Sequence, residues 1–192
     1  MARTNQTKQL LAKALQELLE TTPLEKISVN DIVEQAQVGR NTFYYHFVDK
    51  YDLVNWYFQT GVTQFLLTRA QFNTWKHLLI CLEEYFRENK TFYTKALEYN
   101  GQNSLQEYIF HYMGAIFEER LSGARPGMKK DELDFVSNFL AGALMGVILT
   151  WVKDGMQGEI KEHYTALQEL CNGDLIRFLL LNDPDLPPDL LK

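Results

Sequence analysis

The chain offers little with which to tie a fold together covalently or through metal. Its 192 residues include two cysteines, Cys81 and Cys171. They lie far apart and match neither a disulfide framework nor metal-ligand spacing, so they read as ordinary reduced thiols. Long apolar runs are also missing. A bilayer-crossing helix needs about 20 apolar residues; the longest run, Phe139 to Val152, is interrupted by Gly142, Gly146 and Thr150. The first residues, Met1-Ala2-Arg3-Thr4-Asn5-Gln6, lack the apolar segment of a signal peptide. The expectation is a cytoplasmic protein with no membrane attachment. Catalytic signatures are missing too. There is no Gly-x-Gly-x-x-Gly, no phosphate-binding loop and no His-Glu-x-x-His, and the four histidines (His46, His77, His111, His163) are scattered. Glu107, His111 and Glu118 fall near one helix face, and Glu159, Glu162 and His163 cluster beside a glycine loop. Both sets read as solvated or hydrogen-bonded surface groups, not metal sites. The chain is expected to be no enzyme and to carry no cofactor or metal.

A basic excess is absent as well. Net charge is −6. Its distribution matters more than its sum. Residues 1–50 hold six Lys/Arg and six acids, so the whole negative balance lies in residues 51–192. Attraction to phosphate is local, since screening acts over about 8 Å at physiological salt. A neutral head on an acidic body suits site-specific DNA binding better than broad coating of DNA.

What is present is helical periodicity nearly everywhere, with no convincing alternating strand and no repeat. Leu10, Leu11, Ala14, Leu15, Leu18 and Leu19 mark one face of a first helix, about Thr4 to Glu20, stopped by Thr22-Pro23. Ser28 then stands as an N-cap, with Asp31 three residues on. That helix ends near Ala36. The next opens at Gly39 or Arg40 and ends near Phe47, and Asp49 caps a long helix from Lys50 to about Arg69. Further helices are expected over Thr74–Asn89, Thr91–Tyr99, Ser104–Leu121, Asp131–Lys153 and Tyr164–Leu181. Asn100-Gly101, Ser122 to Gly127 and Asp154 to Gly158 are the breaks. The expected fold is all-α with about nine helices. Residues 1–50 form a three-helix head, 51–181 a larger helical body, and 182–192 a loose tail with three prolines.

The head has the layout of a helix-turn-helix. The first helix of the pair braces, and the second enters the major groove. Ile32, Val33 and Ala36 supply one side of the crossing, and Val38, Phe43 and Phe47 the other, with Phe43 and Phe47 one turn apart. An aromatic core stripe explains those two phenylalanines, but a run of polar and aromatic residues this long cannot all face inward. The opposite face carries Arg40, Asn41, Thr42, Tyr44, Tyr45 and His46. Arg40 suits guanine, Asn41 suits adenine, and Thr42 suits a thymine methyl. Tyr44, Tyr45, His46 and Lys50 are better placed for phosphates, which orient without reading sequence. Ser28 and Lys50 each open a helix, where backbone N–H groups favour phosphate.

From about Thr7 to Phe58 the chain resembles the N-terminal domain of the TetR family of transcriptional regulators. The family pattern Ile-Ala-x-x-Ala-Gly-Val-Ser-x-x-Thr-Leu-Tyr-x-His-Phe-x-x-Lys-x-x-Leu appears here as Ile32 to Leu53, with Ala36, Val38, Thr42, Phe43, Tyr44, His46, Phe47 and Lys50 in its positions. Two departures matter: the turn glycine is Gln37, at some conformational cost, and the usual serine is Gly39. The segment Asp49 to Trp56 resembles a subgroup that includes regulators of dihydroxyacetone kinase operons, in which the body can bind a protein co-regulator. The resemblance implies a regulator, by default a repressor, acting as a homodimer on double-stranded palindromic DNA. An effector bound in the body would modulate it. The alternative is an activator, or a module whose body recruits a co-regulator protein.

The resemblance also implies a ligand pocket among the body helices, with Tyr57, Phe65, Phe86, Tyr93, Phe110, Met113 and Phe117 as candidates, although aromatic stripes are more often plain core. It implies a dimer through the last two long helices, and the residues agree independently. Phe139 to Val152 is apolar all round, and Gly142 and Gly146 share a face. Two interior helix glycines cost about 1 kcal/mol each, which points to close approach of another backbone. Phe139, Gly142, Gly146 and Thr150, with Cys171 and Phe178 of the last helix, are the expected interface.

Overall fold

A computed structural model describes residues 2–68 and 75–159, with side chains described for 5–65 and 80–159. Among the described residues the chain is all-α, with eight α-helices, one 3-10 turn and no strand. The expected helix Tyr164–Leu181, the tail, and the interface candidates Cys171 and Phe178 lie outside the described residues.

Helix α1 (Ala2–Leu19) buries Leu11, Leu15 and Leu19, which recur every four residues and therefore share a face. A 3-10 turn (Leu24–Lys26) that the periodicity did not reveal follows. Then come α2 (Val29–Gln35) and α3 (Arg40–His46), each seven residues long. Helices so short are marginal alone. They are held by burying Ile32, Val33, Phe43 and Phe47 against α1 and the start of α4.

Helix α4 (Lys50–Thr68) runs from the head into the body, where it packs on α5 (Trp75–Glu88) and α7 (Leu105–Ala124). The short α6 (Lys90–Glu98) buries Phe92, Tyr93, Ala96 and Leu97. Helix α7 and α8 (Lys130–Lys153) form a hairpin with the most extensive helix–helix contact of the described residues. The expected break at Ser122-Gly123-Ala124 proves to be the last turn of α7, because glycine is tolerated in a helix whereas Pro126 cannot continue one.

Helix α8 has 24 residues and is apolar enough by length and composition to cross a membrane. Its two sides differ. Leu133, Ser137, Ala141, Met145, Ile148 and Val152 are buried in the core. Phe135, Phe139, Gly142, Ala143, Gly146, Val147 and Thr150 recur at helical spacing on the other side and are exposed. The loop after α8 is held by Lys90 Nζ donating to the Gly155 carbonyl at 2.7 Å, and by Arg87 donating to the Gly158 carbonyl. Met156 of that loop is buried.

Candidate DNA-binding face

The turn between α2 and α3 is made at Gln37, which has φ +54°. A β-carbon in that left-handed region is crowded, which is why glycine is the usual occupant. Val38 N donates back to the Val33 carbonyl at 3.0 Å and closes the turn. Gly39 is the N-cap of α3 at φ −79°, an ordinary extended conformation that any residue adopts.

Helix α3 divides as its spacing requires. Phe43 is fully buried and Phe47 nearly so, with ring centroids 5.8 Å apart. Arg40, Asn41, Tyr44 and Tyr45 are exposed on the other side, and Thr42 and His46 are half-buried. Tyr45 is 80% exposed. The Arg40 guanidinium lies 6.0 Å from the Tyr44 ring centroid, a cation–π arrangement that steadies a long side chain while leaving its donors outward. Tyr45 packs edge-on to His46 at 4.9 Å. Two further residues on this face escaped sequence reasoning. Val48 is 81% exposed just beyond α3. The Lys8 ammonium sits 5.1 Å from the Phe47 centroid and 5.4 Å from that of Trp56, beside the end of α3. The contact between α1 and α3 that brings Lys8 there is tertiary and left no local pattern.

Two expected phosphate ligands have other work. Lys50 Nζ donates to the carbonyls of Leu24 at 2.7 Å, Glu25 at 2.9 Å and Ile27 at 2.7 Å. An ammonium has three donors, and all three point into the 3-10 turn, so Lys50 is a strut rather than a phosphate hand. Burial also holds its pKa below the usual lysine value. The Ser28 hydroxyl accepts from Asp31 N at 3.2 Å and donates to Asp31 Oδ2 at 2.8 Å, while Ser28 N donates to the same carboxylate at 2.7 Å. This capping box consumes the side chain. The Ser28 backbone and hydroxyl donors hold the Asp31 carboxyl below its ordinary value. At the start of α4, Asp49 accepts from Asp52 N at 2.8 Å, and Asp52 accepts from Val48 N at 3.0 Å.

In the body, the seven pocket candidates do not come together. Phe86, Met113 and Phe117 line an interior cavity of about 60 Å³ with Phe58, Ile109, Tyr112 and Ile148. Its volume admits a few water molecules and falls far below the roughly 300–1,000 Å³ of small-molecule sites. The packing explains why. Phe58 meets Phe86, Tyr93, Tyr108 and Tyr112 edge-on with centroids 6.0 to 6.4 Å away, and Phe86 stacks on Tyr93 at 4.1 Å. Tyr93 is wholly buried, and burial raises its phenol pKa well above the ordinary value. Phe110 is half-buried and points toward Gly142, where a β-carbon would lie 3.7 Å from its ring. Tyr57 and Phe65 line a different, outer groove between α1 and α4. Glu107 and Glu118 are engaged by the Asn103 backbone N–H and the Lys130 ammonium.

A short helix with a solvated, donor-rich face, braced by a second across a tight turn and set on an all-helical body, defines a helix-turn-helix regulator. The chain belongs to the TetR family of bacterial transcriptional regulators, which are DNA-binding proteins and not enzymes. The family description "bacterial regulatory proteins, tetR family" matches residues 10–56, and "transcriptional regulator C-terminal region" matches residues 73–173. Among curated proteins, the HTH-type dhaKLM operon transcriptional activator DhaS of Lactococcus lactis subsp. lactis (strain IL1403) is 32% identical over 89 residues, 46% of this chain and 48% of that protein. The match thus spans about half the length of that relative. Among solved structures, a dihydroxyacetone kinase operon activator DhaS has TM-score 0.59 at 20% identity, covering 88% of this chain and 95% of that one. Thermus thermophilus FadR, a repressor in complex with lauroyl-CoA, has TM-score 0.58 at 17% identity over 94% and 98% of the two chains. These structural likenesses carry the fold.

Proposed function

We propose that the chain binds a palindromic operator as a homodimer through α3, with Arg40 and Asn41 at base edges. In this reading Tyr44, Tyr45, His46 and Lys8 meet the phosphate backbone and Thr42 a thymine methyl. Ser28 and Lys50 act indirectly, by holding α2 and the 3-10 turn in place. Residues 1–50 are the DNA-binding unit and 51–181 the effector and dimerisation unit. The carrying observation is the outward face of α3, an exposed set of hydrogen-bonding and aromatic side chains backed by two buried phenylalanines.

The apolar side of α8 supports the dimer. Phe135 and Phe139 are 72% and 58% exposed and are followed on the same side by Gly142, Ala143 and Gly146. A two-fold axis near the middle of α8 would set the phenylalanines of one copy against the glycines of the other. Two heads so joined would meet successive major grooves about 34–36 Å apart.

The effector, in this reading, works from the outer surface, since the interior cavity holds only about 60 Å³. A second reading, activation with a protein co-regulator docked on the body, is favoured by that same filled interior and by the likeness to an operon activator. The test is selection of bound sites from random DNA at two salt concentrations. A palindrome whose affinity falls steeply with salt is expected. The absence of any enriched sequence from the full chain would overturn the reading.

A further inference from the structure

The head also borders a concavity outside the interior. A groove of about 510 Å³ opens along the flank between α1 and α4, within the range of small-molecule sites. Its apolar walls are rings: Trp56, Tyr57 and Phe65 from α4, and Tyr85 from α5. Phe65 and Tyr85 stand 5.1 Å apart, tilted. Tyr85 reaches this far because Gly61 has no side chain, and a β-carbon there would collide with the Tyr85 hydroxyl. Burial raises the Tyr85 phenol to about 12, so it stays a neutral donor.

The polar side is just as particular. Gln9, Gln16 and Gln64 border the groove, and of its lining residues Lys13 alone is charged. The Gln16 amide donates to the Tyr57 hydroxyl at 2.7 Å, which donates to Asn89 at 2.9 Å. One end of the groove is therefore tied by a hydrogen-bond chain running from α1 through α4 to the α5–α6 corner.

We infer that this groove is a binding site for a planar aromatic acid. The ring would lie among Trp56, Phe65 and Tyr85, and the carboxylate would meet Lys13 and the glutamine amides. Aromatic walls favour a flat ring by offset or edge-on packing. Lys13 pairs with Glu17 at 3.8 Å on an exposed surface, a weak and exchangeable contact, so with amide donors beside it and no acid in the lining it favours an anion over a neutral or cationic ligand. Because its walls belong to a head helix and to two body helices, occupancy would favour one angle between them over another. The inference rests on the proposed function only for that consequence; binding itself needs no DNA.

The test uses the full chain labelled with 5-fluorotryptophan, whose three tryptophans report separately by fluorine NMR once assigned by Trp→Phe variants. The probe is 2-naphthoate, with neutral 2-naphthamide as control. Saturable movement of the Trp56 resonance by naphthoate is expected, with Trp151 unmoved. Lys13 is 74% exposed, so Lys13→Glu should leave the fold intact and weaken naphthoate by about five-fold, the scale of one exposed ion pair. Thr60→Phe, which fills the groove, should abolish the shift while leaving the urea midpoint unchanged. No saturable shift at Trp56, or equal affinity for acid and amide with no effect of Lys13→Glu, overturns the assignment. A chain that selects no operator yet shows the Trp56 shift would refute the regulator reading and leave this site standing.

Discussion

An ammonium with three carbonyl partners has no donor left for a phosphate, and that is the position of Lys50. Charge-assisted hydrogen bonds contribute about 1.5–3 kcal/mol where removal strands their partners. Lys50→Met should therefore lower stability by about 2 kcal/mol, read from the urea midpoint. An unchanged midpoint with a shallower salt dependence of operator binding would return Lys50 to the phosphates. Gln37 is a second residue whose cost is conformational. At φ +54° it holds a position that glycine takes without strain. Gln37→Gly should raise stability by about 1 kcal/mol, visible in thermal unfolding, with operator preference intact. A destabilised variant would mean that the Gln37 side chain makes a contact worth more than the strain. The sequence revealed the unusual turn residue because the departure from the family pattern is local. It did not reveal the Lys50 strut, since its acceptors lie 23 to 26 residues earlier in the chain.

Helix α3 is too short to stand alone, so its geometry follows from what it buries. The division into an inward phenylalanine pair and an outward polar face was legible from spacing, because a residue's side of a helix depends only on its register. The roles of the outward residues can be separated experimentally. Arg40→Ala should relax preference at one base pair per half-site by about 1–3 kcal/mol, as read by quantitative site selection. Tyr45→Ala should instead weaken all sequences alike. If Arg40→Ala leaves the selected consensus unchanged, Arg40 reads no base. The ends of the elements were harder to read. The serine N-cap of α2 was visible as Ser28 with Asp31, but the extension of α7 through Gly123 was not, since glycine signals a break as often as it is tolerated.

At the scale of the molecule, a continuous core of the described residues runs from α1 through α4 into the α7–α8 hairpin, and the apolar stripe on the outer side of α8 lies outside it. The stripe was foreseen in part, since a helix apolar all round must be buried on more than one side. Phe135 was not foreseen, because it lies before the apolar run and is flanked by Asp134 and Val136. Phe139→Glu places a charge on an exposed position of the stripe and should leave the subunit folded. Light scattering should then report monomers, and operator affinity should drop as the two-fold match is lost. A dimer that survives the change would move the interface elsewhere.

By itself the sequence determined the all-helical class of the fold, the place and register of the short helix α3, and the family to which the chain belongs. All of these are written in local order: period, caps, turn residues and motif spacing. Only the tertiary structure decided how tightly the aromatic interior packs, where the outer grooves lie, and that the Lys50 ammonium is taken up by backbone carbonyls. Volume and pairing arise when residues distant in the chain are brought together. A stripe of aromatics has the same period whether its rings interdigitate, as Phe58, Phe86 and Tyr93 do, or line an open groove, as Trp56 and Phe65 do.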